Sequence, residues 1–264
     1  MPVPPQLKFP RISRWLPPRP ELPPLRVSAR LRELIAALAL LAAGLTGVVV
    51  TTPAQAEAVP VQAVEARGAV LTYGQDVSSY QPQYDWAASP AKFGIVKATE
   101  GLTIDDSAFA RHWKALAEKG IVRGAYHFGH PRNDPVAEAD HFLSVVDGQP
   151  VKRGDLLVLD LETTDGRSVA EVNQWARIWL AHVRERTGTT PLFYSNWSFA
   201  DTYGKGLERY PLWVANYSAK GTVSAPADWK RWTILQYSET PVDQNISVLS
   251  PAQLRHLGRP SADT

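Results

Sequence analysis

The strongest constraint on this chain is a recurring unit, a short apolar run that finishes in polar side chains and is followed by an amphipathic stretch. The runs are "YGQDVS", "GIVKATE", "GAYHFG", "LLVLDLE", "PLFYS", "LWVANY" and "WTILQYS". Each is rich in β-branched or aromatic residues, which predicts strands. Between the early ones, "DDSAFARHWKALAEKG" sets Phe109, Trp113 and Leu116 on one helical face and stops at Gly120. "PVAEADHFLSVVD" predicts a weaker helix, and "SVAEVNQWARIWLAHVRERTG" opens on a Ser168 to Glu171 capping box and stops at Gly188. Strands alternating with helices predict parallel βαβ units, and a run apolar at every position, such as "LLVL", suits a sheet covered on both faces. Two architectures satisfy this pattern, a β/α barrel and a doubly wound sheet.

Two features favour the barrel. No Gly-rich phosphate loop opens a helix, as a nucleotide-binding doubly wound sheet would usually require. The polar residues sit at strand ends: Asp76, Lys97 with Glu100, Tyr126 with His127, Asp160 with Glu162, Tyr194, Tyr217 and Gln236. In a β/α barrel the carboxyl ends of the strands share one mouth, where the active site lies. After Tyr194 the long helices stop, and "SAKGTVSAPADWKR" joins two strands without one. The expected fold is a single-domain, incomplete β/α, TIM-like barrel whose last third is strand-rich.

The most informative strand end is "LLVLDLETT". Residues two apart on a strand share a face, so Asp160 and Glu162 project together while Leu161 packs behind them. Two carboxyls in one partly dry site cannot ionise independently, so one holds a proton at neutral pH and serves as general acid beside a charged neighbour. Glycoside hydrolysis uses that division of labour. Taken alone, the pair is a weak signal, because strand-end acids more often cap a helix or pair with an arginine.

The first part of the chain stands apart. Residues 1–33 are rich in Pro and Arg, and "LIAALALLAAGLTGVVV" and "TTPAQA" follow. This order predicts a secretory signal cleaved after Ala56, with an uncleaved membrane anchor as the alternative. Residues 57–70 then form a small-residue linker, 71–258 the barrel and 259–264 a tail. The leader carries seven basic and two acidic side chains of a chain with net charge +2, so the remainder carries −3. That balance, with no basic stripe interleaved with aromatics, argues against nucleic-acid binding. The expected setting is extracellular, with membrane contact only through an uncleaved leader, and the expected state is a monomer. There are no cysteines, which excludes disulfides, thiolate metal sites and a thiol nucleophile. His127 and His130 straddle a strand end and a loop without an HExxH helix, so no metal or other cofactor is expected.

In the order "YGQDVSSYQ" with "DWAA", "FGIVKATEG", "RGAYHFGHP", "LVLDLE", "PLFYSN", "YPLWVANY", "LQYS" and "VDQN", the chain resembles glycoside hydrolase family 25, the lysozymes that act as N-acetylmuramidases. The likeness runs from Tyr73 to Gly258. It implies an acidic groove that cleaves the bond between N-acetylmuramic acid and N-acetylglucosamine in peptidoglycan glycan strands. Carried over by position, it makes Glu162 the proton donor and Asp160 its charged companion, with Asp76 and Asp243 as further groove acids. Asp243 falls in a loop after the last clear strand, behind a shortened "SETP". Tyr126, Tyr194, Trp213, Tyr217 and Gln236 are expected to contact sugar, whereas Trp113, Trp175 and Trp179 on helix faces are expected in the core. Lys97 and Glu100 are assigned structural support. Three routes stay open: attack by Asp160, attack by the substrate's own acetamido group, or an inverting reaction with water activated by Asp243 or Asp76. A glycan-binding module without turnover on the same barrel is the alternative to an enzyme.

Overall fold

A computed structural model describes residues 71–217 and 223–260. The predicted signal (1–56), the linker (57–70) and the last four residues lie outside the described residues.

The strands are β1 (Thr72–Val77), β2 (Phe93–Glu100), β3 (Ile104–Asp105), β4 (Val122–Phe128), β5 (Leu156–Asp160), β6 (Leu192–Asn196), β7 (Leu212–Ala215), β8 (Ile234–Ser238) and β9 (Asp243–Ser247). Pairing runs β1-β9-β8-β7-β6-β5-β4-β2, and β2 returns to β1, which closes an eight-stranded barrel. The two-residue β3 is an antiparallel appendage on β2. Six of the barrel pairings are parallel, while β9 runs antiparallel to both β8 and β1.

The helices are α1 (Phe109–Lys119), α2 (Pro135–Asp147), α3 (Val169–Thr187), α4 (Trp197–Tyr203) and α5 (Pro251–Leu257). The three long ones follow the sequence expectation. Gly120 ends α1 at φ 74° and Gly188 ends α3 at φ 68°, left-handed positions that glycine adopts without steric cost. Both halves of the Ser168–Glu171 capping box form. Between β7 and β8 the described residues contain no helix, so the barrel is complete in strands and incomplete in its helical coat.

Alternation along the strands sorts the core into two layers. Phe93, Ile95, Val122, Leu156, Val158, Leu192, Ile234 and Leu254 pack inside the barrel. Val96, Ala98, Leu157, Leu159, Leu161, Phe193 and Val214 pack outward against Trp113, Trp175 and Trp179 from the helices, where the sequence reading had placed these tryptophans. Each fully buried aliphatic or Phe side chain contributes about 1.5–3 kcal/mol by leaving water. The barrel floor is tight: a Cβ added to Gly74 would lie 2.3 Å from the Phe93 ring.

The lower end is built for stability. Arg123 at the start of β4 donates two hydrogen bonds to Asp155, 2.7 and 2.8 Å long, and lies 3.9 Å from the Trp113 ring. Leu254 of α5 plugs the interior, and Arg259 pairs with the backbone of Gly154 and Asp155. Among the described residues no helix is long and apolar enough to cross a membrane.

Candidate active site

At the carboxyl ends of the parallel strands the barrel opens into a cavity of about 470 Å³ lined by Asp76, Tyr126, Asp160, Glu162, Tyr194, Asn196, Trp213, Ala215, Tyr217, Gln236, Glu239 and Asp243. All nine residues singled out for this site are in it. A larger hollow of about 570 Å³ lies at the opposite end, between Tyr210, Trp229, Val248 and His256, and has no comparable convergence of acids from strand ends.

Asp160 is the last residue of β5 and faces inward above Leu156 and Val158, while Leu161 is buried outward, as period-two alternation requires. The pairing with β6 continues past the end of β5. Leu161 N–H donates to the Tyr194 carbonyl (3.0 Å) and Ser195 Oγ donates to the Leu161 carbonyl (2.6 Å). This clamp holds the Asp-Leu-Glu segment extended and turns Glu162 into the mouth. Asp160 is 6% exposed and its Oδ1 is buried without a hydrogen-bond partner.

Both carboxyls of the pair are pushed up. Burial raises Asp160 well above the usual carboxylate range, the charge of Glu162 adds to this, and Lys97 opposes it. Glu162 keeps solvent contact at the mouth, yet its partial desolvation raises it, against a hydrogen bond from Asn196. Both shifts favour the protonated form in the unliganded groove, and Asp160 lies the deeper of the two because β5 ends below the mouth while Glu162 stands one step higher.

The structure relocates Asp243. This residue is not in a loop but opens β9, paired in register with Asp76 of β1. That register sets the two carboxyls side by side, where a proton shared between them would relieve their repulsion. Burial, then the charge of Asp243, raises Asp76, and burial also raises Asp243. Asp76 Oδ2 accepts from Gln236 Nε2 (3.0 Å) and Asn245 Nδ2 (2.6 Å). Trp213 Nε1 fixes Asn245 by donating to its Oδ1 (2.8 Å), and the Tyr194 and Tyr217 hydroxyls donate to Gln236 Oε1 (2.9 and 2.6 Å).

The aromatic wall is uneven. Trp213 is 1% exposed and forms the floor with Tyr194, their ring centroids 4.3 Å apart, whereas Tyr217 is half exposed at the rim. Burial keeps the Tyr126 and Tyr194 hydroxyls protonated, so they remain donors. Lys97 and Glu100 form an ion pair of 2.6 Å. His127 lies outside the barrel, buried between Thr99 and Glu138 at 2.8 Å each, and His130 bridges Glu100 and Asp165. Among the described residues no group of three or more acids and histidines is arranged to hold a metal ion.

Sequence reasoning missed Asn196, Glu239 and Asn245. Asn245 sits in "VDQN", whose polar residues disguise a strand, and Asn196 had a legible signal as the N-cap of α4.

Comparison with known proteins agrees with this geometry. The profile of glycosyl hydrolases family 25 matches residues 75–246. An N,O-diacetylmuramidase of Arthroderma benhamiae is 30% identical over 204 residues, 70% of this chain and 84% of that protein. A family GH25 lysozyme structure from Aspergillus fumigatus superposes with a TM-score of 0.67 at 28% identity, covering 72% of this chain and 100% of that one. The bacterial lysozyme from Streptomyces coelicolor gives a TM-score of 0.64 at 31% identity, covering 70% and 96%. With a family match over most of the barrel and a mouth carrying paired acids, the chain belongs to glycosyl hydrolases family 25 and is a glycoside hydrolase of the lysozyme type.

Proposed function

We propose that this groove hydrolyses the β-1,4 bond between N-acetylmuramic acid and N-acetylglucosamine in peptidoglycan, with Glu162 as general acid and retention of anomeric configuration. The observation that carries this reading is the inward-facing pair Asp160 and Glu162, with Asp160 Oδ1 buried and unpartnered. An acetamido N–H is the donor that oxygen lacks. A hydrogen bond to the charged form of Asp160 lowers its pKa, so substrate binding shifts the shared proton onto Glu162, where the leaving oxygen can take it. The ionised Asp160 then orients the acetamido group, whose carbonyl oxygen attacks the anomeric carbon. The glycosidic bond breaks as Glu162 gives its proton to the leaving sugar, and an oxazolinium forms. Water, deprotonated by Glu162, opens that ring with a second inversion, and the product is retained. Direct attack by Asp160 gives the same stereochemistry, but it needs this deeply buried carboxylate to reach the anomeric carbon.

Glu239 and the Asp76–Asp243 pair line the groove with acids and no base, which favours the positive charge that develops at the anomeric centre. The basic, then apolar, leader in residues 1–56 supports export as the setting for this activity. Early-time proton NMR of the new anomeric centre tests the route. The β-anomer is expected first, and an α-anomer would exclude both retaining routes.

A further inference from the structure

We infer that Asn196 is a positioning residue for the proposed general acid, its amide locked by the N-terminus of α4 so that only its N–H₂ edge faces Glu162. The inference rests on the reading of Glu162 given above. Three observations place Asn196 there. Asp160 of β5 pairs with Tyr194 of β6, and the Leu161–Tyr194 and Ser195–Leu161 bonds continue that register, which brings Glu162 abreast of Asn196. Both side chains line the same cavity. The Asn196 Oδ1 accepts from Phe199 N–H at 3.0 Å as the cap of α4, and a backbone N–H can bond only the oxygen edge of an amide. The opposite edge is thus fixed as the donor that hydrogen-bonds Glu162.

The donor matters because nothing else around Glu162 favours its charge. The other titratable groups lining the same cavity are Asp76 on β1, Tyr126 on β4, Asp160 on β5, Tyr194 on β6, Tyr217 after β7, Glu239 after β8 and Asp243 on β9, and none of them carries a positive charge. A general acid must also act as base in the second half of a retaining reaction, so its carboxylate has to be accessible near the working pH. Asn196 supplies the bond that keeps it so, and it fixes which oxygen is free to meet the leaving group.

Asn196→Ser separates the cap from the donor, because a serine hydroxyl caps a helix as well as asparagine but is too short to hold Glu162 as well. The Glu162 pKa, read directly by NMR of its carboxyl carbon in the unliganded protein, is expected to rise by about one to two units, as for loss of a hydrogen bond to a charged group. Its thermal midpoint should stay close to that of the parent. The basic limb of the kcat profile should move up by the same amount, and Asn196→Asp, which keeps the cap acceptor and adds a charge, should move it at least as far. An unchanged Glu162 pKa in a folded Asn196→Ser protein would overturn the inference. If that pKa moves but neither protein releases product, the inference stands and the catalytic reading of Glu162 fails.

Discussion

Glu162→Gln is expected to lower kcat by about 10²-fold or more with the fold intact, the usual size of general-acid catalysis. The amide has nearly the same shape and still meets Asn196, but it has no proton of suitable acidity for the leaving oxygen. Stability gives an independent check. The Glu162 pKa is raised by folding, so between the unfolded value and the folded one the native state binds more protons. Stability contributed by that proton is present below the unfolded pKa and is lost as pH rises through the folded one. Glutamine carries no such penalty, so the variant should melt at or above the parent temperature at neutral pH. Turnover near that of the parent, with an unchanged circular dichroism spectrum, would remove Glu162 from the mechanism.

Asp160→Asn should separate binding from catalysis. If Asp160 only shapes a sugar-binding surface, the amide weakens affinity and nothing more. If the ionised carboxylate orients the acetamido group and stabilises the oxazolinium, affinity for a muramic-acid-containing oligosaccharide should change by less than about tenfold. The initial rate should fall by about 10²-fold or more, because the interaction is stronger in the transition state than in the ground state. Calorimetry and initial rates on the same oligosaccharide provide both numbers. Equal losses in both would favour the binding-surface role and weaken the substrate-assisted route.

Much of the barrel was legible because its parallel strands carry their own signature. "LLVLD" is apolar where both faces are covered and turns acidic where the strand reaches the mouth. The helices announced themselves through Ser168, Gly120 and Gly188, whose capping chemistry is local. The strand β9 was not legible. Its inward residues Asp243 and Asn245 face the polar mouth, so "DQNIS" lacks the apolar run that marks a strand, and only pairing with β1 and β8 makes it one. Placing Asp243 in a loop followed directly from that polarity.

The site shows the same division between local and long-range information. The spacing of Asp160 and Glu162 shows that they share a face, but how burial raises each carboxyl depends on depth, which is set by where β5 ends in the closed barrel. The β1–β9 register sets Asp76 beside Asp243, residues far apart in sequence. No local pattern contains that information. Asn196 was visible as the end of "PLFYSN", yet its role depends on the helix it caps and on the strand beside it.

The most direct test of the central claim is the identity of the new reducing end released from purified peptidoglycan. The protein is incubated with peptidoglycan, the soluble fragments are reduced with borohydride and hydrolysed, and the amino-sugar alcohols are separated. Cleavage of the proposed bond gives muramicitol in excess over the untreated control. Glucosaminitol instead would mean that the other glycosidic bond is cut, and the absence of either from a folded protein would contradict the account.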